Sequence, residues 1–201
     1  MRAAWLWKVA WLAPVIGVLY GLYLVTNHYH LRPPSALPIT AVDQAVPFLP
    51  WTVWPYYFLA FLMVLPLLAK QRSTFLRAVG ALICGYSVNL AVFALFPTTY
   101  PRPVTLEAAG WTGRVLASLY ALDSPANCFP SGHITAPFIG VWAVARDFPA
   151  LRLLLWPGLA VLSLTILTTK QHYAIDLPGG VLTACVGLWA EAKTQLLRRY
   201  A

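Results

Sequence analysis

Long apolar stretches alternate along this chain with short polar ones, and most of the apolar stretches are far too long for β-strands. Six runs stand out: residues 9–26, 51–69, 78–96, 132–145, 153–169 and 174–190. A helix needs about 20 apolar residues to cross the hydrocarbon core of a bilayer. Five of the runs approach that length, and the run 132–145 reaches it only with an added turn. The pattern predicts an all-α fold, a six-transmembrane helical bundle that forms one membrane domain over residues 1–201. The first run follows Arg2 and Lys8 and lacks a small-x-small cleavage site, so it reads as a retained anchor rather than a secretory leader.

The polar stretches divide unevenly. Residues 27–50 hold Pro33, Pro34, Pro38, Pro47 and Pro50, and residues 97–130 form the longest connection. Within the latter, residues 105–122 place Glu107 and Arg114 among Leu106, Trp111, Val115, Leu116 and Leu119. That mixture predicts a short interfacial helix between the third and fourth spans. Connections longer than a dozen residues are usually functional when ordered. In the third run, Gly80, Gly85 and Ser87 allow close helix packing, and Asn89 is expected to bond to a neighbouring helix.

Composition narrows the picture. The chain is 60% hydrophobic and only 10% charged, with a mean hydropathy of +0.68. Soluble domains carry about 25% charged residues, so this is an integral membrane protein. A net charge of +8 raises the question of nucleic acid. The basic residues, however, flank the apolar runs, and nowhere do they interleave with stacking aromatics. No nucleic-acid partner is expected.

Flanking cations instead set orientation. Six spans put both termini on one side, together with Arg2, Lys8, Lys70, Arg72, Arg77, Arg146, Arg152, Lys193, Arg198 and Arg199. Only Arg32, Arg102, Arg114 and Lys170 fall on the other side. Ten against four predicts cytoplasmic termini and an outer face carrying Arg102, His133 and His172. The short loops suggest a bacterial inner membrane. Cys84 and Cys185 read as packing residues, whereas Cys128 stands in a polar loop, within reach of an impermeant thiol reagent from outside. His28 and His30 could chelate a metal, but no carboxylate or cysteine joins them, so a headgroup-facing role is expected. The pattern holds no metal or cofactor site, and the oligomeric state is not legible.

The candidate chemistry gathers on the predicted outer face. Pro130-Ser131-Gly132-His133 opens the fourth run. A serine and free backbone N–H groups at a helix start make an anion site, and a histidine follows as proton carrier. His172 and Asp176 are four residues apart at the start of the sixth run. On one helix face, that carboxylate would fix the imidazole tautomer and make the other nitrogen a better nucleophile or base. With His133 on a different helix, one histidine could attack phosphorus while the other protonates the leaving alcohol. Arg102, between Pro101 and Pro103, presents a guanidinium suited to phosphate.

Tyr100-Pro101-Arg102-Pro103, then Pro130-Ser131-Gly132-His133, then His172-x-x-x-Asp176 resemble the three ordered signatures of the type 2 phosphatidic acid phosphatase superfamily. The resemblance covers residues 95–180. That superfamily includes membrane lipid phosphatases, lipid phosphotransferases and, more distantly, vanadium haloperoxidases. The resemblance implies a phosphohistidine mechanism, with His172 as nucleophile, Asp176 orienting it, and His133 as general acid. Arg102, Ser131 and Gly132 would hold the phosphate of a membrane lipid.

Two of the family's cations are missing. Leu95 stands where its first signature has lysine, and Ile166 where its third has arginine, with Thr165 in place of the usual serine. Lys170 is the expected replacement, and Arg114 a weaker one. A site poorer in positive charge suits a phosphodiester or a single phosphate. Hydrolysis of a phosphate ester, or a diphosphate, of a lipid at the outer membrane face is the expected activity. Transfer to a lipid hydroxyl, as in enzymes that make sphingomyelin or inositol phosphorylceramide, is the alternative, and a non-enzymatic membrane protein is a third.

Overall fold

A computed structural model of the chain describes residues 2–103, 110–197 and 200. It is mostly helical, and each apolar run contains helix. In chain order these are α1 (Arg2–His28), α2 (Ala41–Ala45), α3 (Val53–Phe61), α4 (Arg72–Leu95), α5 (Gly110–Leu122), α6 (Gly132–Asp147), α7 (Arg152–Ser163), α8 (Thr165–Thr168) and α9 (Asp176–Thr194). The second run is not one α-helix. Past Phe61 it tightens into a 3₁₀ stretch, Leu62–Leu68, that contains Pro66. Of the expected interfacial helix, Gly110–Leu122 is helical, with Leu116 and Leu119 buried and Trp111 and Arg114 exposed. Its first residues, 105–109, lie outside the described part, as does Glu107.

Among the described residues, four stretches are long and apolar enough to cross a membrane: Trp5–His28, Pro50–Leu68, Arg72–Leu95 and Pro149–Thr168. Their large exposed side chains, such as Phe58, Phe61, Leu153 and Leu154, form an apolar outer surface suited to lipid. Neither α6 nor α9 meets that measure. α6 has 16 residues, and α9 carries Asp176, Glu191 and Lys193. α6 lies at the centre of the bundle, packed against α4, α9, α7, α3 and the 3₁₀ stretch. Its positions serve small-residue and polar contacts rather than lipid, and most of them are buried.

Among the described residues, α4 packs most extensively against α9. Gly85 and Gly187 face each other there, and a Cβ on Gly85 would stand 2.8 Å from the Thr183 carbonyl oxygen. The backbones meet only because neither position carries a side chain. Asn89 donates to Thr135 Oγ1 at 2.9 Å, the helix-to-helix bond expected of it.

Polar contacts collect at the two ends of the bundle. At the end holding the start of α1, Lys8 donates to the Leu67 and Ala69 carbonyls, which close the 3₁₀ stretch. There Asp147 accepts from Gln71 N and Thr74 Oγ1 at the start of α4, and Arg77 pairs with Glu191 at 3.1 Å. At the opposite end the two long loops lock together. Ser35 and Ala36 pair in parallel with Thr98 and Thr99, a short ladder that the apolar pattern did not foreshadow. Asn27 bonds to Ser124 and Ala126. α2 is held by a capping box between Thr40 and Asp43.

Cys128 departs from its expected exposure. It is 1% exposed, and its thiol points at the Pro125 carbonyl, 3.2 Å away, because the loop before α6 folds into the bundle end. An impermeant thiol reagent on intact cells is therefore expected to miss Cys128. In a background lacking Cys84 and Cys185 it should label Tyr29→Cys, at a side chain 79% exposed, and miss a cysteine placed in residues 71–74. Gly187→Val should lower the detergent melting temperature by an amount equivalent to about 1–3 kcal/mol. Gly21→Val, which meets nothing within 4 Å, should leave it unchanged.

Candidate active site

The beginnings of α6 and α9 converge at one end of the bundle. Ser131 N donates to the Asp176 carbonyl at 3.2 Å, joining the two helix starts. Both Ile134 N and Thr135 N bond to the Ser131 carbonyl, so the first turn of α6 closes on the backbone. Ser131 is the N-cap residue, yet its side chain makes no cap bond. Its hydroxyl instead lies 3.4 Å from His172 Nε2. The leading N–H groups of α6, those of Gly132 and His133, have no acceptor within the helix, and the positive end of the helix dipole lies with them.

His172 and Asp176 meet, but not as neighbours on a helix face. α9 begins only at Asp176, and His172 sits in the turn before it. Gln171 N and His172 N both donate to the Ile166 carbonyl. Asp176 N donates to the Tyr173 carbonyl at 3.0 Å, and Asp176 Oδ2 accepts from Tyr173 N at 2.9 Å. That turn brings Asp176 Oδ2 to 3.0 Å from His172 Nδ1.

Proton positions follow from the partners. His172 Nδ1 faces two acceptors, Asp176 Oδ2 and, at 2.9 Å, the Cys128 carbonyl. Nδ1 must therefore carry the proton, which leaves the Nε2 lone pair free in the neutral ring. His133 Nδ1 lies 3.1 Å from that Nε2 and so donates to it. His133 Nε2 is then the acceptor for the Tyr56 hydroxyl at 2.8 Å. The result is a directed chain from Tyr56 through His133 and His172 to Asp176. Nothing in the sequence pattern singled out Tyr56 for this site. No local spacing links it to His133, 77 positions away.

Arg102 reaches the same region but arrives heavily engaged. It donates to the carbonyls of Asp123 and, at 3.0 Å, Ser124, and to Gln171 Oε1. Its guanidinium lies over the Tyr120 ring at 4.6 Å and 3.9 Å from Asp123 Oδ2. Asp123 Oδ1 also accepts from Tyr23 at 2.5 Å. Burial pushes the Asp123 carboxyl above its usual range, against the opposing pull of Tyr23 and Arg102. Three buried polar atoms here have no partner: Arg102 Nε, Gln171 Nε2 and Asp176 Oδ1.

The expected replacement cation is not brought to the histidines. Lys170 donates to the carbonyls of Val46, at 2.6 Å, and Asp43, closing the C-terminal end of α2. Its backbone takes a left-handed conformation that turns the chain toward Gln171. Arg114 stacks on Trp111 and is exposed. Ile166 is fully buried in an apolar cluster, and Leu95 is exposed. His28 lies 3.4 Å from the Leu122 carbonyl, and no group of three His, Cys, Asp or Glu side chains among the described residues is placed to hold a metal. Beside His133 opens an apolar cavity of about 140 Å³, lined by Leu19, Tyr23, Met63, Leu82 and Tyr86 among others.

Paired imidazoles, one fixed by a carboxylate, beside a helix start and an arginine make an arrangement suited to phosphoryl chemistry. A family model described as the PAP2 superfamily matches residues 34–190. The chain belongs to that superfamily, which comprises phosphatases and phosphotransferases acting on phosphate esters, and its apolar helices make it an integral membrane protein. No curated protein and no solved structure gives a match.

Tyr56→Phe removes only the hydroxyl bonded to His133. It should lower kcat roughly tenfold, the worth of one hydrogen bond to a reacting group, with KM little changed. Steady-state kinetics on the purified variant check this.

Proposed function

We propose that the protein hydrolyses a lipid phosphate ester at the outer face of the membrane through a phosphohistidine on His172. The observation that carries this reading is the fixed tautomer of His172. Its Nδ1–H is held by Asp176 and the Cys128 carbonyl, and its Nε2 lies 3.1 Å from His133. A phosphoryl group entering between the two rings meets a nucleophile on one side and a proton donor on the other.

In the first step the Nε2 lone pair forms a bond to phosphorus, and the bond from phosphorus to the lipid oxygen breaks. His133, which takes up a proton from solvent on Nε2 when the anionic phosphoryl group binds, gives its Nδ1 proton to that oxygen. The Tyr56 hydroxyl turns to accept from His133 Nε2–H. The positive charge that develops on the phosphorylated His172 ring is stabilised by Asp176. In the second step water attacks phosphorus, its proton passes to His133, and the phosphorus–nitrogen bond breaks. His172 is then neutral again, with its proton still on Nδ1.

Arg102, Ser131 and the N–H groups of Gly132 and His133 are the proposed holders of the phosphoryl oxygens. The cavity beside His133 and the apolar helices around it suit a lipid portion. The ten-to-four division of basic residues supports cytoplasmic termini and an outward-facing site. A second reading, transfer of a phosphoryl headgroup to a lipid hydroxyl, is favoured by the placement of Lys170, which leaves Arg102 alone beside the histidines among the described cations.

Purified protein incubated with lipid phosphates and acceptor lipids distinguishes the two readings, with free phosphate and new lipids followed together. Release of free phosphate, or of a phosphorylated headgroup from a diester, is the expected result, and a new phospholipid without either would favour transfer. His172→Ala should abolish either product, and His133→Ala should cost roughly 10²- to 10⁴-fold in kcat. Full activity in both variants would rule out the mechanism. An acid-labile, alkali-stable phosphoryl label should form on the wild-type protein and be absent from His172→Ala.

A further inference from the structure

Two of the unpartnered buried atoms are donors on side chains bonded to each other, Arg102 Nε and Gln171 Nε2. Arginine can only donate, so Gln171 must present Oε1 to it, which turns the amide NH₂ away. Gln171 is 2% exposed and immediately precedes His172, so neither donor is placed to find bulk water. A buried donor left unmatched is costly, and a ligand that brings acceptor oxygens to these two would satisfy both.

The charge around these donors limits what that ligand can be. The ionisable groups around them are Arg102, Asp123 with Tyr23, Tyr56, Tyr120, Cys128, whose thiol lies 3.7 Å from the Gln171 carbonyl, His133, His172 and Asp176. Arg102 is the one cation among them, and Asp123 stands 3.9 Å from it. With the imidazoles neutral, the formal sum is one positive against two negative charges. Protonating His133 brings it to zero. A dianionic phosphomonoester would meet no net positive charge, whereas a singly charged phosphoryl group needs mainly donors.

We propose that Gln171, together with Arg102, binds the substrate phosphoryl group as a neutral donor, and that the site is thereby set for a singly charged phosphodiester lipid rather than a dianionic monoester. This rests on the phosphohistidine reading and holds whether water or a lipid hydroxyl is the acceptor.

The test uses the full-length protein in detergent and two lipids that share one leaving group. Dioctanoyl phosphatidic acid is the monoester, and dioctanoyl phosphatidylmethanol is the diester. Release of dioctanoylglycerol reports cleavage of the same bond in both. The expected kcat/KM ratio favours the diester by at least roughly tenfold at about pH 8 and narrows toward about pH 5.5, as the monoester takes up its second proton near about pH 6. Enzyme titrations common to both lipids cancel in that ratio. Gln171→Leu should raise KM for the diester roughly tenfold, and Gln171→Lys should shift the ratio toward the monoester. Melting temperatures identify variants that fail to fold, and the wild-type ratio needs no variant. A preference for the monoester at about pH 8, or an unchanged KM in Gln171→Leu, would overturn the proposal. If His172→Ala is inactive while the monoester is preferred, the mechanism stands and this inference alone falls. Turnover that survives His172→Ala, or no turnover of either lipid, would overturn both.

Discussion

The His172 ring is held from three sides, and the rest of the site takes its meaning from that clamp. Asp176 Oδ2 and the Cys128 carbonyl bind Nδ1, while Nε2 faces His133 and Ser131. Two acceptors on one nitrogen leave no choice of tautomer, so the free lone pair is directed by the backbone as much as by the carboxylate. The Cys128 carbonyl reaches that position because its loop is pinned by Phe129 N donating to Thr98 Oγ1. Asp176 reaches it because its backbone carbonyl accepts from Ser131. Neither restraint would suffice alone, since each fixes only one of the two acceptors.

Close packing lower in the bundle makes this convergence possible. The α4–α9 crossing at Gly85 and Gly187 draws α9 against α4 and the central α6, and Thr135 then bridges Asn89, Gly180 and Thr183. Those buried bonds hold the N-terminal ends of α6 and α9 in a fixed relation. The outer loops complete the support. Asp43 accepts from Ala174 N, and Tyr173 bonds to Thr99 and Leu37. Burial works against the Asp43 carboxylate, but Thr40, Ala174 and Lys170 together hold it below its usual range. Lys170 thus serves the loop, and the paired histidines are left with few cations beside them as a consequence.

Several features were readable before the fold was known because they depend on local order. The three signatures sit in sequence at fixed spacing, and small residues in the third run foretold a tight crossing. Other expectations failed where the outcome depends on distant partners. Lys170 was expected near phosphate because it lies two residues from His172. A left-handed turn sends its side chain to α2 instead, a segment more than 120 positions away. Cys128 read as exposed because its neighbours are polar, yet those polar groups are turned inward to satisfy one another. The contact between His172 and Asp176 was anticipated from helical spacing, and a pre-helical turn delivers it instead.

By itself, then, the order of residues determined a mostly helical membrane protein, its superfamily, and which two histidines and carboxylate stand in the signatures. These follow from composition, periodicity and short motifs, which are properties of neighbouring residues. Tertiary structure alone decided that Tyr56 backs His133, that Gln171 stands against Arg102, and that Asp123 offsets the arginine's charge. Each of those pairs joins segments far apart in the chain, and no one-dimensional pattern records which faces of two packed helices will meet.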